Sequence, residues 1–174
     1  MQKPQSGEYN PYFERYIQLV PEGSIIDLFD EHSQRVARFF EDLPEDRTEY
    51  RYAPGKWTPK EVLMHVIDTD RVMAYRALVA ARQDNHTPLP PVDEDWYAAH
   101  VEVSHRSMAD LVQEFIAVRK AASFLFHNIP DDYSRFLAHG SPFPVSARAL
   151  AYIMTGHALH HMQVVRERYL EAKD

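Results

Sequence analysis

His157 and His161 lie four residues apart in an apolar stretch near the C-terminus, a spacing that puts both rings on one face of a helix. At about 100° per residue, each falls within roughly 20° of Leu150. Ile153, Met154, Val164 and Val165 fall about 40–60° to either side, so the two imidazoles occupy the middle of the core-facing stripe. Burying an unpaired imidazole costs roughly 1–3 kcal/mol. The pair therefore needs partners, and two readings supply them. One is ordinary hydrogen bonding to a backbone carbonyl or carboxylate. The other is shared coordination of a divalent ion, since Cβ atoms about 6 Å apart let both rings reach one metal at a Zn–N distance near 2.0–2.1 Å. His160 is an i,i+3 alternative to His161, but it points about 80° away from Leu150, on the flank of the stripe. Ala158 stands where a zincin protease carries the glutamate after its first histidine, which disfavours a thermolysin-like mechanism.

A third ligand must come from a neighbouring element. His65 is the one histidine of a helix whose start is written as Thr58-Pro59-Lys60-Glu61, a capping box with proline at the first helical position. Its apolar stripe is Val62, Val66, Met73 and Ala80, with His65 and Thr69 on the edge, directed toward the core sector. Three imidazoles from two helices leave coordination positions open, as a catalytic ion requires and a structural one does not.

Four long helices are expected to position these residues. The first starts at Ser24 and stops before Pro44, after a shorter helical stretch over Tyr12–Val20 that breaks at Pro21. The second runs from Pro59 to about Arg82, the third from a Ser107 cap toward Pro130, and the fourth from a Ser146 cap toward Tyr169. The connection between helices two and three (Asn85–Arg106, with a short helix near Asp93–His100) and that between three and four (Ile129–Val145) are long. No alternating segment demands a sheet, so the expected fold is an all-α four-helix bundle in a single domain over residues 1–174.

Composition narrows the function. With 26 acidic against 19 basic residues the net charge is −7, and no basic block stands out. That speaks against nucleic acid and against an anionic membrane surface as partners. The absence of cysteine excludes disulfides, thiolate metal sites and a cysteine nucleophile. The first seven residues lack a signal peptide's apolar core, and no apolar run reaches the ~18–20 residues of a membrane span. A cytoplasmic protein is expected.

Several further residues carry weaker expectations. Trp57 reads as a packing residue against the helix start. Gly156, inside a helix, costs roughly 1 kcal/mol relative to alanine, which points to the close approach of another helix. Asp68 reads as a solvated carboxylate or as an acceptor for a ligand histidine. Arg71, Tyr75, Arg76 and Arg119 are divided between salt bridges and a substrate channel. Asp93-Glu94-Asp95 reads as a helix start.

The segments Pro54-Gly55-Lys56-Trp57-Thr58-Pro59-Lys60-Glu61-Val62-Leu63-Met64-His65 and Gly156-His157-Ala158-Leu159-His160-His161, the latter leading into Arg166-Glu167-Arg168-Tyr169, resemble the DinB-like (DinB/YfiT-type) family of metalloproteins. The similarity runs from the first helix to Tyr169. It implies an up-down-down-up bundle, frequent homodimers and three histidine ligands at His65, His157 and His161, the positions that helical geometry also selects. Family members of known activity include metal-dependent transferases of low-molecular-weight thiols and thiol-dependent isomerases. The resemblance therefore implies a divalent transition metal, zinc or nickel first among the candidates, an external low-molecular-weight thiol and a small-molecule substrate. Thiol transfer to a small electrophile is the expected reaction. Metal-dependent hydrolysis and non-catalytic metal or small-molecule binding in stress physiology are the alternatives.

Overall fold

A computed structural model describes residues 1–140 and 142–171. A short 3₁₀ turn (Pro11–Phe13) leads into α1 (Glu14–Ile17), followed by α2 (Ile25–Glu41), α3 (Glu45–Thr48) and α4 (Pro59–Ala81). Then come α5 (Glu94–His100), α6 (Met108–His127), α7 (Asp131–Ser134) and α8 (Ala147–Val165), which widens into a π-helical turn over Arg166–Leu170. Among the described residues there is no strand, only one bridge between Ala138 and Val145. No helix among them is long and apolar enough to cross a membrane.

Each long helix begins where its local chemistry permits. Ser107 and Ser146 accept the backbone N–H of Asp110 and Ala149, and Asp93 does the same for Trp96. Thr58 and Glu61 form the reciprocal capping box at the start of α4. Ser24 occupies the cap position of α2 without a side-chain bond.

The four long helices form the bundle, and specific contacts fix their directions. Phe29 near the start of α2 meets Phe126 near the end of α6 at 5.2 Å between ring centres, so these two run antiparallel. Arg106, just before α6, reaches the Met64 sulfur near the start of α4 at 3.8 Å, and Arg71 farther along α4 bonds Glu114 farther along α6, so α4 and α6 run parallel. The Tyr169 hydroxyl, after α8, donates to the Trp57 carbonyl before α4 at 2.5 Å, so α8 runs back along α4. The order is up, down, down, up, with α2 and α4 on opposite corners.

Apolar side chains gather into two clusters stacked along the bundle. One is built around Phe29, Phe126 and Leu150, the other around Phe40, Phe115 and Leu63. A single guanidinium touches all four long helices. Arg119 of α6 donates to Asp70 of α4 at 2.6 and 3.1 Å and to the Met154 carbonyl of α8 at 2.8 Å, and lies 4.8 Å over the Phe29 ring of α2. Burial pushes the Asp70 carboxyl up to about 6, against the pull of Arg119.

One expectation needs correcting. The sequence predicts one apolar face for the last helix, yet α8 is buried on all sides from Ala147 to Leu159. Its outer side is covered by α1, which the N-terminal segment holds in place. Arg148 Nε and the Ser146 hydroxyl each donate to the Glu8 carboxylate at 2.7 Å. Gly156 is the crossing point: a Cβ built there would lie 1.9 Å from the Tyr16 carbonyl oxygen.

Replacing Gly156 with alanine should therefore destabilise the protein by about 1–3 kcal/mol in denaturant unfolding, despite the ~1 kcal/mol that alanine contributes to helix propensity. Unchanged or increased stability would show that α1 does not pack against α8 at this point.

Candidate metal centre

The capped start of α4 places His65 on the side that faces α8. Glu61 is held from two directions, by the Thr58 backbone N–H at 2.7 Å and by Arg51 through two bonds of 2.7 Å. Trp57, just before the cap, lies on the His65 ring with centres 4.9 Å apart. Its packing role thus extends to a site residue. From α8, His157 and His161 project one turn apart.

The three rings converge through the same atom. His157 Nε2 lies 3.2 Å from His65 Nε2 and 3.0 Å from His161 Nε2, and the three potential donor atoms all fall within 4.8 Å of one another. Ligands around a tetrahedral ion with Zn–N bonds of 2.0–2.1 Å sit about 3.3 Å apart, close to the two separations from His157 Nε2. His160 is outside the cluster; its ring packs 5.3 Å from Tyr16 and 5.1 Å from His161.

Hydrogen bonds among the three rings do not satisfy them. A neutral imidazole has one donor and one acceptor nitrogen. His157 Nδ1 is buried without a partner, so whichever tautomer His157 adopts, either a donor or a lone pair is stranded there. Burial holds His65 down to about 4, and it drives His157 and His161 well below the ordinary imidazole value, with the neighbouring rings adding to the effect. All three rings are thus neutral at pH 7, with lone pairs free to coordinate. The donor set fits a divalent transition ion.

The centre opens on a cavity of about 540 Å³. α4 lines it with His65, Asp68, Thr69, Val72, Met73 and Arg76, and α8 with Leu150, Ile153, Met154 and His157. Tyr16 closes it from α1, its ring edge-on to His157 at 5.2 Å.

The sequence profile of the DinB superfamily matches residues 28–165, from α2 to the end of α8. The protein belongs to the DinB superfamily. Among solved DinB-type structures, YfiT from Bacillus subtilis matches with a TM-score of 0.71 at 15% identity, over 95% of this chain and 90% of its own. YfiT is described as a probable metal-dependent hydrolase with an unusual four-helix bundle topology. A DinB-like protein from the same organism, YjoA, matches with a TM-score of 0.57 at 16% identity, over 87% of this chain and 95% of its own. At such identities the likeness concerns the fold. No curated protein matches the chain.

The structure sorts the remaining residues of this DinB protein. Asp68 lines the cavity and makes only a long 3.4 Å contact with Arg71, whose other nitrogen bonds Glu114. Arg119 belongs to the buried ion pair, Tyr75 is exposed, and Arg76 faces the cavity. Tyr16 and Asp70 are the residues that sequence reasoning missed. Tyr16 belongs to a helix of only four residues, and Asp70 sits at the edge of the apolar stripe, where an acid reads as exposed.

Because protons compete with metal only below each ring's own pKa, and burial holds all three below the ordinary imidazole value, affinity in the folded DinB protein should fall far less steeply just below pH 6.5 than for solvated rings. Three ordinary imidazoles would instead lose affinity by up to a thousandfold per pH unit below about 6.5. A competition titration with a pH-insensitive chelator distinguishes the two. A steep loss starting at 6.5 would mean the rings are solvated.

Proposed function

We propose that this DinB protein is a metal-dependent hydrolase acting on a small molecule bound in the cavity beside His65, His157 and His161. One observation carries the reading: three neutral imidazole Nε2 atoms converge, and two of the rings, His65 and His157, line a cavity large enough for a substrate. His65, His157 and His161 would hold the ion, with zinc and nickel as the first candidates. When bound, such an ion supplies Lewis acidity that lowers the pKa of a ligated nucleophile.

The chain's own residues account for the other requirements. Asp68 shares the cavity with His65 one turn away, and burial raises its carboxyl pKa toward the range useful for proton exchange. It would take the proton from the attacking water and return it to the leaving group. Tyr16, Met154 and Ile153 line the cavity and would keep bulk water from a substrate bound there. The description of YfiT as a probable metal-dependent hydrolase supports this choice among nucleophiles.

Thiol transfer would use the same centre with an external thiol in place of water, and the cavity has room for both a thiol and an electrophile. The assay that separates the readings is hydrolysis of a panel of small esters and amides by the Zn²⁺- or Ni²⁺-loaded protein, without and with a low-molecular-weight thiol. The expected result is metal-dependent turnover without thiol, lowered about 10²–10⁴-fold in kcat by Asp68→Asn. Turnover only with thiol would move the assignment to transfer. None under either condition would leave a binding protein without catalysis.

A further inference from the structure

The cavity has a direction. His65, Asp68, Val72 and Arg76 follow one another along a single face of α4, while His157, Met154, Ile153 and Leu150 descend the facing side of α8. Since α4 and α8 run antiparallel, the two rows line the same slot from opposite walls. The histidines stand at one end and Arg76 at the other. Eleven residues at 1.5 Å each separate the Cα atoms of His65 and Arg76 by about 16 Å. Between them the walls are mainly apolar, Val72 and Met73 facing Leu150, Ile153 and Met154, with Thr69 the polar residue on the α4 side.

Charge along this slot is uneven in a way that singles out Arg76. Glu61 is taken up by Arg51 and the helix cap, and Asp93 caps α5. Asp68 sits at the histidine end. Glu94 lies exposed at the rim. Arg76 is half-buried, yet among the described residues its bond goes to a neutral acceptor, the Pro90 carbonyl at 2.8 Å, and to no carboxylate. Burial lowers its pKa with no carboxylate opposing the shift. A guanidinium offers five donors in a planar fork suited to carboxylate or phosphate, and here most of that fork is uncommitted. Holding a partly desolvated cation without a counter-ion is unfavourable, so the position is explained if a ligand brings the charge.

We propose that Arg76 is a specificity residue that binds the anionic group of the substrate, and that the substrate is an elongated molecule. Its scissile group lies at the histidine end, an apolar body spans the slot, and a carboxylate or other oxyanion reaches Arg76. The assignment of the histidine end rests on the hydrolase reading above; recognition of the anion by Arg76 does not.

A matched pair of probes tests this: 4-phenylbutyrate and its uncharged amide, with binding measured by calorimetry. The titrations use chelator-treated protein, where a carboxylate has no metal to ligate, and then Zn²⁺-loaded protein. Wild type should prefer the carboxylate by about tenfold in the metal-free protein. Arg76→Gln should abolish that preference while leaving amide affinity unchanged, which also reports that the cavity is intact. Arg76→Lys should retain part of it. Equal affinity for the two probes in wild type, a preference that survives Arg76→Gln, or no carboxylate binding at millimolar concentration would each overturn the proposal. Because the metal-free titration requires no bound ion, a failed hydrolase assay with a positive probe result would refute catalysis without touching Arg76.

Discussion

The convergence of three imidazole nitrogens at the junction of α4 and α8 sets the terms on which this bundle holds together. Lone pairs repel when aimed at one point, and a ring with both nitrogens buried must find partners for both. His157 lacks one for Nδ1. An ion among the three Nε2 atoms would turn this mutual repulsion into three bonds and leave Nδ1 of each ring as the N–H. Much of the surrounding structure can be understood as keeping that point fixed, because ligand positions must hold to within a few tenths of an ångström.

Several independent devices do so. The capping box and the Arg51–Glu61 pair fix where α4 begins, and therefore where His65 falls. Arg119 ties Asp70 of α4 to the Met154 carbonyl of α8, less than one turn before His157, so the two histidine-bearing helices cannot slide independently. Gly156 lets the backbone of α1 approach α8 beside His157, which brings the Tyr16 ring over the site. A buried ion pair such as Asp70–Arg119 is a costly way to gain stability, and its usefulness here lies in register.

The long elements and the histidine set were legible in the sequence because their signals are local. Helical periodicity placed His157 and His161 together, and the Thr58–Glu61 box announced the start of α4. The π-helical turn after Val165 carried no local signal, and it brings Tyr169 inward against Trp57. α8 was misread as one-faced because its outer cover, α1, is too short to show periodicity. Asp70 and Arg119 are buried only because each has the other, and a single sequence does not record such pairing. The inward aim of Arg76 likewise depends on how the loop carrying Pro90 folds back over α4.

The central claim is that His65, His157 and His161 jointly hold one ion. Its most direct test is the metal content of natively purified protein, wild type beside His161→Ala, with circular dichroism confirming that both remain helical. About one transition-metal ion per chain in the wild type and loss of most of it in the folded variant are predicted. A wild type without metal, or a variant that keeps it at full stoichiometry, would contradict the account.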